Sequence, residues 1–441
     1  MFQILRNAWK ITDLRKKILF TVFILLIFRV GSAITVPFVD TAVLKNAVAG
    51  QTSDFMGYLT MMSGGGFSNA SIFALSITPY INASIIIQLL TVAIPYLENL
   101  SKEGEAGRRK LGQFTRYGTV ILGLMLGIAY YFMVKNQYNA LSISARSGFG
   151  EWFAAITIIL CFTAGSSLMM WLGEQINEKG IGNGISMLLF AGILSRIPVG
   201  GDFLWRNFWE AGLKQVIAGQ TGAIWNAVIV VLILALFLAM IGFIVFMTDA
   251  ERRIPVQYAK KVVGRKMYGG QSTHIPLKLN ASGVLPLIFA NAIMQFPATI
   301  LAFFPNSSAN IWWQSHVSTM SFPYQIIFAL LIFGFTFFYS SISFNPVEIS
   351  KNIQNNGGMI PGIRQGKPTS DFIKKITTRI TTFGAIYLAI LAVIPTVIYA
   401  VAGVSLPFAA SSLMIAVSVA MEFMRELESQ MLMRHYKGFL K

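Results

Sequence analysis

The chain has 441 residues, 55% of them apolar and only 12% charged, with a mean hydropathy of +0.62. Soluble domains run nearer ~45–50% apolar and ~25% charged, so this chain could not cover its surface in water and reads as a polytopic membrane protein. The 35 Lys and Arg against 18 Asp and Glu leave +17, and one cysteine, Cys161, excludes an internal disulfide or a cysteine-built metal site.

At about 20 residues per helical crossing, apolar runs between charged clusters predict ten spans. They lie at Ile18–Pro37, Ser71–Pro95, Tyr117–Val134, Trp152–Gly173, Ile181–Ile197, Trp225–Met247, Leu279–Phe304, Phe322–Phe344, Ile380–Ala402 and Phe408–Met424. Lys and Arg divide 28 to 6 between the two sets of connections, with Arg196 at the end of the fifth span counted in the outer set and Arg29 inside the first span. By the positive-inside rule both termini are cytoplasmic. Ten spans split into two fives place the second half inverted relative to the first, an arrangement of channels and carriers. The expected fold is therefore all-α, with ten transmembrane helices in two inverted halves, residues 1–216 and 217–441.

In chain order, the first local feature is Ser63-Gly64-Gly65-Gly66, which follows a short outer stretch from Gly57 and precedes the second span. Consecutive glycines do not hold a helix, so the sequence reads as a short helix, a hinge and a full span. That helix either lies in the membrane interface or folds back into the bundle as a stopper. Within the second span Ile77 and Ile81 share a helical face, as do Ile185 and Leu189 in the fifth. Such residues are lipid or packing contacts, or else a ring that excludes water. Asn82, Ser84 and Gln88 decorate span two, and Asn291 and Gln295 span seven. These amides join helices or form a polar seam that can part.

The run Gly180-Ile181-Gly182-Asn183-Gly184 superficially matches a dinucleotide fingerprint, but an apolar span follows it and no strand precedes it. Close helix packing explains it better. Two basic cytoplasmic loops follow, 248–278 with Arg252, Arg253, Lys260 and Lys261, and 345–379 with Arg364. Topology and anionic lipid account for part of this charge; docking of an acidic or anionic partner accounts for the rest. His274, His316 and His435 are scattered and mid-span carboxylates are absent. Neither a metal site, a cofactor site nor a catalytic constellation is expected. The missing mid-span ionisable groups weigh against an ion-coupled secondary transporter, the alternative reading.

The runs SIFALSITPYINASIIIQLL (71–90), GIGNGISMLLFA (180–191), QSTHIPLKL (271–279), PGIRQG (361–366), and those at 252–261 and 283–297 carry a resemblance over essentially the whole chain. The sequence resembles the SecY family, the channel subunits of the bacterial protein-conducting translocon. The resemblance implies two halves clamping an hourglass pore that passes unfolded preproteins and releases transmembrane segments sideways into lipid. It implies a plug helix over about 57–70, with Leu59, Met62, Ser63, Gly64, Gly65, Gly66 and Phe67 as plug and hinge. A pore ring would comprise Ile77, Ile81, Ile185, Leu189, Ile288 and Ile415, and a lateral gate Asn82, Gln88, Asn291 and Phe296. Arg252, Arg253, Lys260, Lys261 and Arg364 would dock the SecA ATPase motor and the ribosome. Further partners implied are the small subunits SecE and SecG, preproteins with signal sequences, and membrane lipids. The implied location is a bacterial plasma (inner) membrane.

Overall fold

The computed structural model describes residues 2–49, 60, 63–142, 149–210, 223–258, 261–263, 266–268, 272–280, 283–302, 307–317, 321–402 and 410–438. Its helices are α1 (Phe2–Lys10), α2 (Thr12–Gly31), α3 (Thr41–Ala49), α4 (Thr78–Ala93), α5 (Pro95–Lys102), α6 (Glu105–Phe132), α7 (Phe149–Lys179) and α8 (Gly184–Leu194). They continue with α9 (Ile197–Leu204), α10 (Ala223–Asp249), α11 (Leu285–Ala302), α12 (Ser308–His316), α13 (Phe322–Ser343), α14 (Pro346–Asn355), α15 (Lys367–Ala402) and α16 (Ala410–Gly438). Each of the ten predicted spans coincides with one of these helices, namely α2, α4, α6, α7, α8, α10, α11, α13, α15 and α16.

Among the described residues, five helices are by themselves long and apolar enough to cross a membrane, and α4 with α5 forms a sixth that bends by 102°. The bend falls at Ile94-Pro95, where Ile94 is extended and Pro95 opens the next helix, as the ring of a proline requires of its predecessor. Helices α8 and α11 are shorter apolar segments. At 1.5 Å per residue α15 is about 54 Å long, well beyond the ~30 Å hydrocarbon core. Its charged first turns, including Lys374, Lys375 and Arg379, therefore project from the membrane.

Helix α2 shows how the bundle is sorted. Leu14, Ile18, Thr21, Ile24, Phe28 and Gly31 are buried, whereas Leu19, Phe23, Leu26 and Val30 are half or more exposed. Both sets recur every three or four residues, so they occupy opposite faces. An apolar face left open in this way suits lipid. The same division appears on α13, where Phe322, Ile326, Leu330 and Phe333 face outward.

The two basic loops are not simply solvated chain. Strand β1 (Glu251–Tyr258) pairs antiparallel with β4 (Ser272–Lys278), while β2 (Lys261–Val263) and β3 (Lys266–Tyr268) pair between them. Strand β5 (Gly358–Met359), from the other loop, joins the free edge of β1. Ile254, Val256 and Leu277 then share an apolar core with Ile353, Ile360 and Ile373. The two loops form one platform.

Residues 63–77 differ from expectation. They form successive turns ahead of α4, so the short helix expected over about 57–70 does not extend across 63–70. Its upstream portion, with Leu59 and Met62, lies outside the described residues, as do Lys260 and the boundary at 216–217. The reason for the turns is packing. Ser71 bridges to Thr35, Ile72 donates to the Ile34 carbonyl, and Val36 donates to that of Ala70. A side chain on Gly31 would strike the Phe73 ring at 2.0 Å, and one on Gly165 the Ile72 carbonyl at 1.9 Å. The segment is wedged between α2 and α7 in a conformation with positive φ at Ala70 and Ser76.

Candidate functional site

The middle of the bundle is assembled from both halves. Ile77 caps α4 and Ile81 lies one turn on; α8 supplies Ile185 and Leu189, α11 supplies Ile288, and α16 supplies Ile415. All six belong to one apolar cluster, where Ile77, Leu189, Ile288 and Ile415 are buried and Ile81 and Ile185 are half-buried. Aromatic and methionine side chains, Tyr387 among them, pack in the same cluster. The six aliphatic side chains themselves offer neither counter-charge nor hydrogen bond, and apolar surface is costly to wet.

The position of α8 depends on the glycine run before it. Gly182 has a positive φ, and a side chain on Gly184 would meet the Gly173 carbonyl at 2.0 Å. Asn183 caps α8 by accepting from the Ile185 and Ser186 amides, and the Asn177 Oδ1 accepts from that of Gly184 at 2.7 Å. The run thus turns α7 tightly into α8, which is a packing role.

Helices α4 and α11 touch along the contact between halves. Asn291 is buried and donates to its own helix at the Leu287 carbonyl, 3.0 Å. Gln88 donates to the Ser84 hydroxyl at 3.3 Å, also within its helix. The buried Oδ1 of Asn82 has no partner among the described residues. Phe296 is 53% exposed. These amides satisfy themselves locally or not at all, so they do little to tie the two helices together. Gln295, buried beside Asn291, belongs to the same wall.

On the outer side Ser63, Gly64, Gly65, Gly66 and Phe67 are buried. Gly64 and Gly65 have φ of +63° and +91°, conformations open to glycine and costly for other residues. The Arg29 guanidinium donates to the Gly64 carbonyl at 2.9 Å, and Tyr130 donates to that of Phe67 at 2.7 Å. The Phe67 and Tyr130 rings meet edge to face at 4.8 Å. Sequence reasoning missed Tyr130, since one tyrosine in an apolar span gives no signal.

On the platform of the two basic loops Arg252, Arg253 and Arg364 are exposed. Arg253 pairs with Glu251 at 2.7 Å, whereas Arg252 and Arg364 have no acidic partner among the described residues. Arg364 is carried on a tip whose Gly362 and Gly366 have positive φ. Ser350 donates to the Gly366 carbonyl and Gln365 to that of Gly358, which fixes the tip to α14 and β5. Lys261 lies on β2. Among the described residues no three His, Cys, Asp or Glu side chains gather as a metal site would need.

A family model for SecY matches residues 71–424. The chain is 40% identical to the protein translocase subunit SecY of Halalkalibacterium halodurans over 451 residues, all of both chains. It is 40% identical to that of Streptomyces coelicolor and 38% identical to that of Mycobacterium tuberculosis, with 99% of each chain covered. Among solved structures the fold is similar to a protein-conducting channel, with a TM-score of 0.63 at 17% identity over 94% of this chain and 92% of that one. It is also similar to Sec61 in the canine ribosome–channel complex of the endoplasmic reticulum, with a TM-score of 0.57 at 14% identity over the same shares.

Proposed function

The chain belongs to the SecY family, and from that premise we propose that it forms the path by which unfolded preproteins cross a bacterial inner membrane. The observation that carries this reading is the uncharged aliphatic cluster built from four helices of both halves. A polypeptide cannot cross hydrocarbon with its backbone groups unpaired, so it needs a water-filled route. That route must close against ions when idle and must not bind any particular sequence. Six aliphatic side chains meet both requirements, and fixed charges would meet neither.

A transmembrane segment must leave sideways, and the weakly bonded contact of α4 with α11 supports exit between residues 1–216 and 217–441. Asn82, Gln88, Asn291 and Phe296 would line it. The turn at Ser63–Phe67 supports a plug rooted there, to which Leu59 and Met62 would belong. The unpaired Arg252 and Arg364, with Arg253, Lys260 and Lys261, support docking of SecA and the ribosome on the cytoplasmic platform, and both termini face that side. SecE and SecG would complete the complex.

The test is reconstitution. Vesicles holding the purified complex, supplied with SecA, ATP and a preprotein, should protect that preprotein from external protease, with no uptake of small solutes. Solute uptake driven by an ion gradient, without preprotein protection, would overturn the reading in favour of a carrier.

A further inference from the structure

Arg29 stands within the first predicted span, where a charge is costly and calls for a reason. Among the described residues no carboxylate pairs with it. Its guanidinium instead reaches the Gly64 carbonyl at 2.9 Å and the Ser32 hydroxyl at 3.5 Å. The Ser195 hydroxyl donates to the Gly192 carbonyl of its own helix at 2.7 Å and lies 3.4 Å from the Gly64 carbonyl. A side chain on Gly64 would lie 2.8 Å from Ser195 Oγ and 3.3 Å from Arg29 Nη1, and one on Gly65 would lie 3.2 Å from Arg196 Nη1. The glycine turn is thus seated between the end of α2 and the end of α8, with room for neither side chain.

The next residues are held in a different way. From Gly66 onward the chain is bonded through its backbone to residues 34–36, and Phe67 is fixed by Tyr130. Displacing that part would break several bonds and expose Phe67 and Phe73, both buried. Displacing Gly64 breaks one charge-assisted bond and a long hydroxyl contact. Within residues 63–77, Gly64 is therefore held by fewer bonds than the chain that follows it, and the Arg29 bond ties the end of α2 to the turn beside the end of α8.

We propose that Arg29 is a positioning residue for gating: its guanidinium clasps the Gly64 carbonyl and holds the root of the plug in the closed channel. The proposal rests on the channel reading above. Carbonyl binding needs a donor and no particular sequence partner, so the clasp can release and re-form without a competing anion. A charge-assisted hydrogen bond is the stronger kind, which suits a catch that must hold against thermal motion.

The experiment compares Arg29→Leu, Arg29→Lys and Ile415→Asn in the purified complex in vesicles and in cells. The readouts are resting ion conductance, export of reporters with intact and damaged signal sequences, and protein abundance. Arg29→Leu should raise resting conductance about tenfold, the equivalent of one lost charge-assisted hydrogen bond, and admit the damaged signal at normal abundance. Arg29→Lys, which keeps a donor, should restore part of the seal. A merely structural arginine would lower abundance and both exports together, which overturns the proposal. Should Arg29→Leu not accumulate, Arg29→Gln is read instead, since it removes the charge and keeps a polar side chain; unchanged conductance there overturns the clasp. Leakage from Ile415→Asn but not from Arg29→Leu would sink the clasp and leave the channel intact. Tight channels in both would sink the channel reading as well.

Discussion

In the platform made by the two basic loops apolar residues do the joining and charge is displayed; in the middle of the bundle apolar residues pack against one another. Ile254, Val256 and Leu277 meet Ile353, Ile360 and Ile373, and Arg252 and Arg364 are exposed. Ile77, Leu189, Ile288 and Ile415 are buried in one apolar cluster. The difference separates two kinds of work. Docking can be long-ranged, salt-sensitive and specific because it is electrostatic. Sealing must be indifferent to sequence and salt, so it relies on packing. On the proposed reading, partners and energy arrive at the platform and neither reaches the constriction.

The largest expected effect comes from locking the contact between halves. In a Cys161→Ala background, cysteines replacing Asn82 and Phe296 should form a disulfide, since α4 and α11 touch, provided that their Cα atoms can approach to within about 7 Å. Export should stop when the bond is closed and recover on reduction. No crosslink in any state would put the seam elsewhere.

Reversing the platform charges should come next. Arg364→Glu, or Arg252→Glu with Arg253→Glu, exchanges attraction for repulsion at exposed positions. SecA or ribosome binding should fall at least about tenfold, with a shallower salt dependence, and thermal stability should stay unchanged. Normal binding by both variants would reduce the loops to topology signals.

Smallest of all is Lys135→Ala on the outer side. Lys135 pairs with Glu151, and this hydrogen bond raises the lysine pKa. A raised lysine value stabilises the fold below its ordinary ~10.4 and loses that contribution as pH climbs through the raised value. Both side chains are about one-third exposed, so the loss on mutation should be only ~0.2–1 kcal/mol. A melting shift that persists once pH has passed the raised lysine value would contradict the assignment.

How much of this could be read from residues alone follows the same division. Spans announce themselves because hydrocarbon requires long apolar runs, and all ten fall on helices. Ring membership does not, because an isoleucine at the pore and one facing lipid are the same in composition; only the resemblance singled out Ile288 and Ile415. The platform strands left a faint trace in the alternation Arg253-Ile254-Pro255-Val256-Gln257, but the pairing of β1 with a two-residue β5 about a hundred positions on is tertiary and has no local signal. The turns at 63–77 were hidden for another reason. Positive φ at Ala70 and Ser76 runs against local preference and is imposed by the wedge between α2 and α7.

The central claim, that packing of uncharged side chains closes the channel, is tested most directly at Ile415, wholly buried in the cluster. Burying an isoleucine is worth about 1.5–3 kcal/mol, and an asparagine there would draw water in. Resting conductance of the Ile415→Asn complex in vesicles, at matched protein content, should rise about tenfold or more and should not depend on the platform charges. Conductance equal to that of the unaltered protein, with the variant normally folded, would contradict the account.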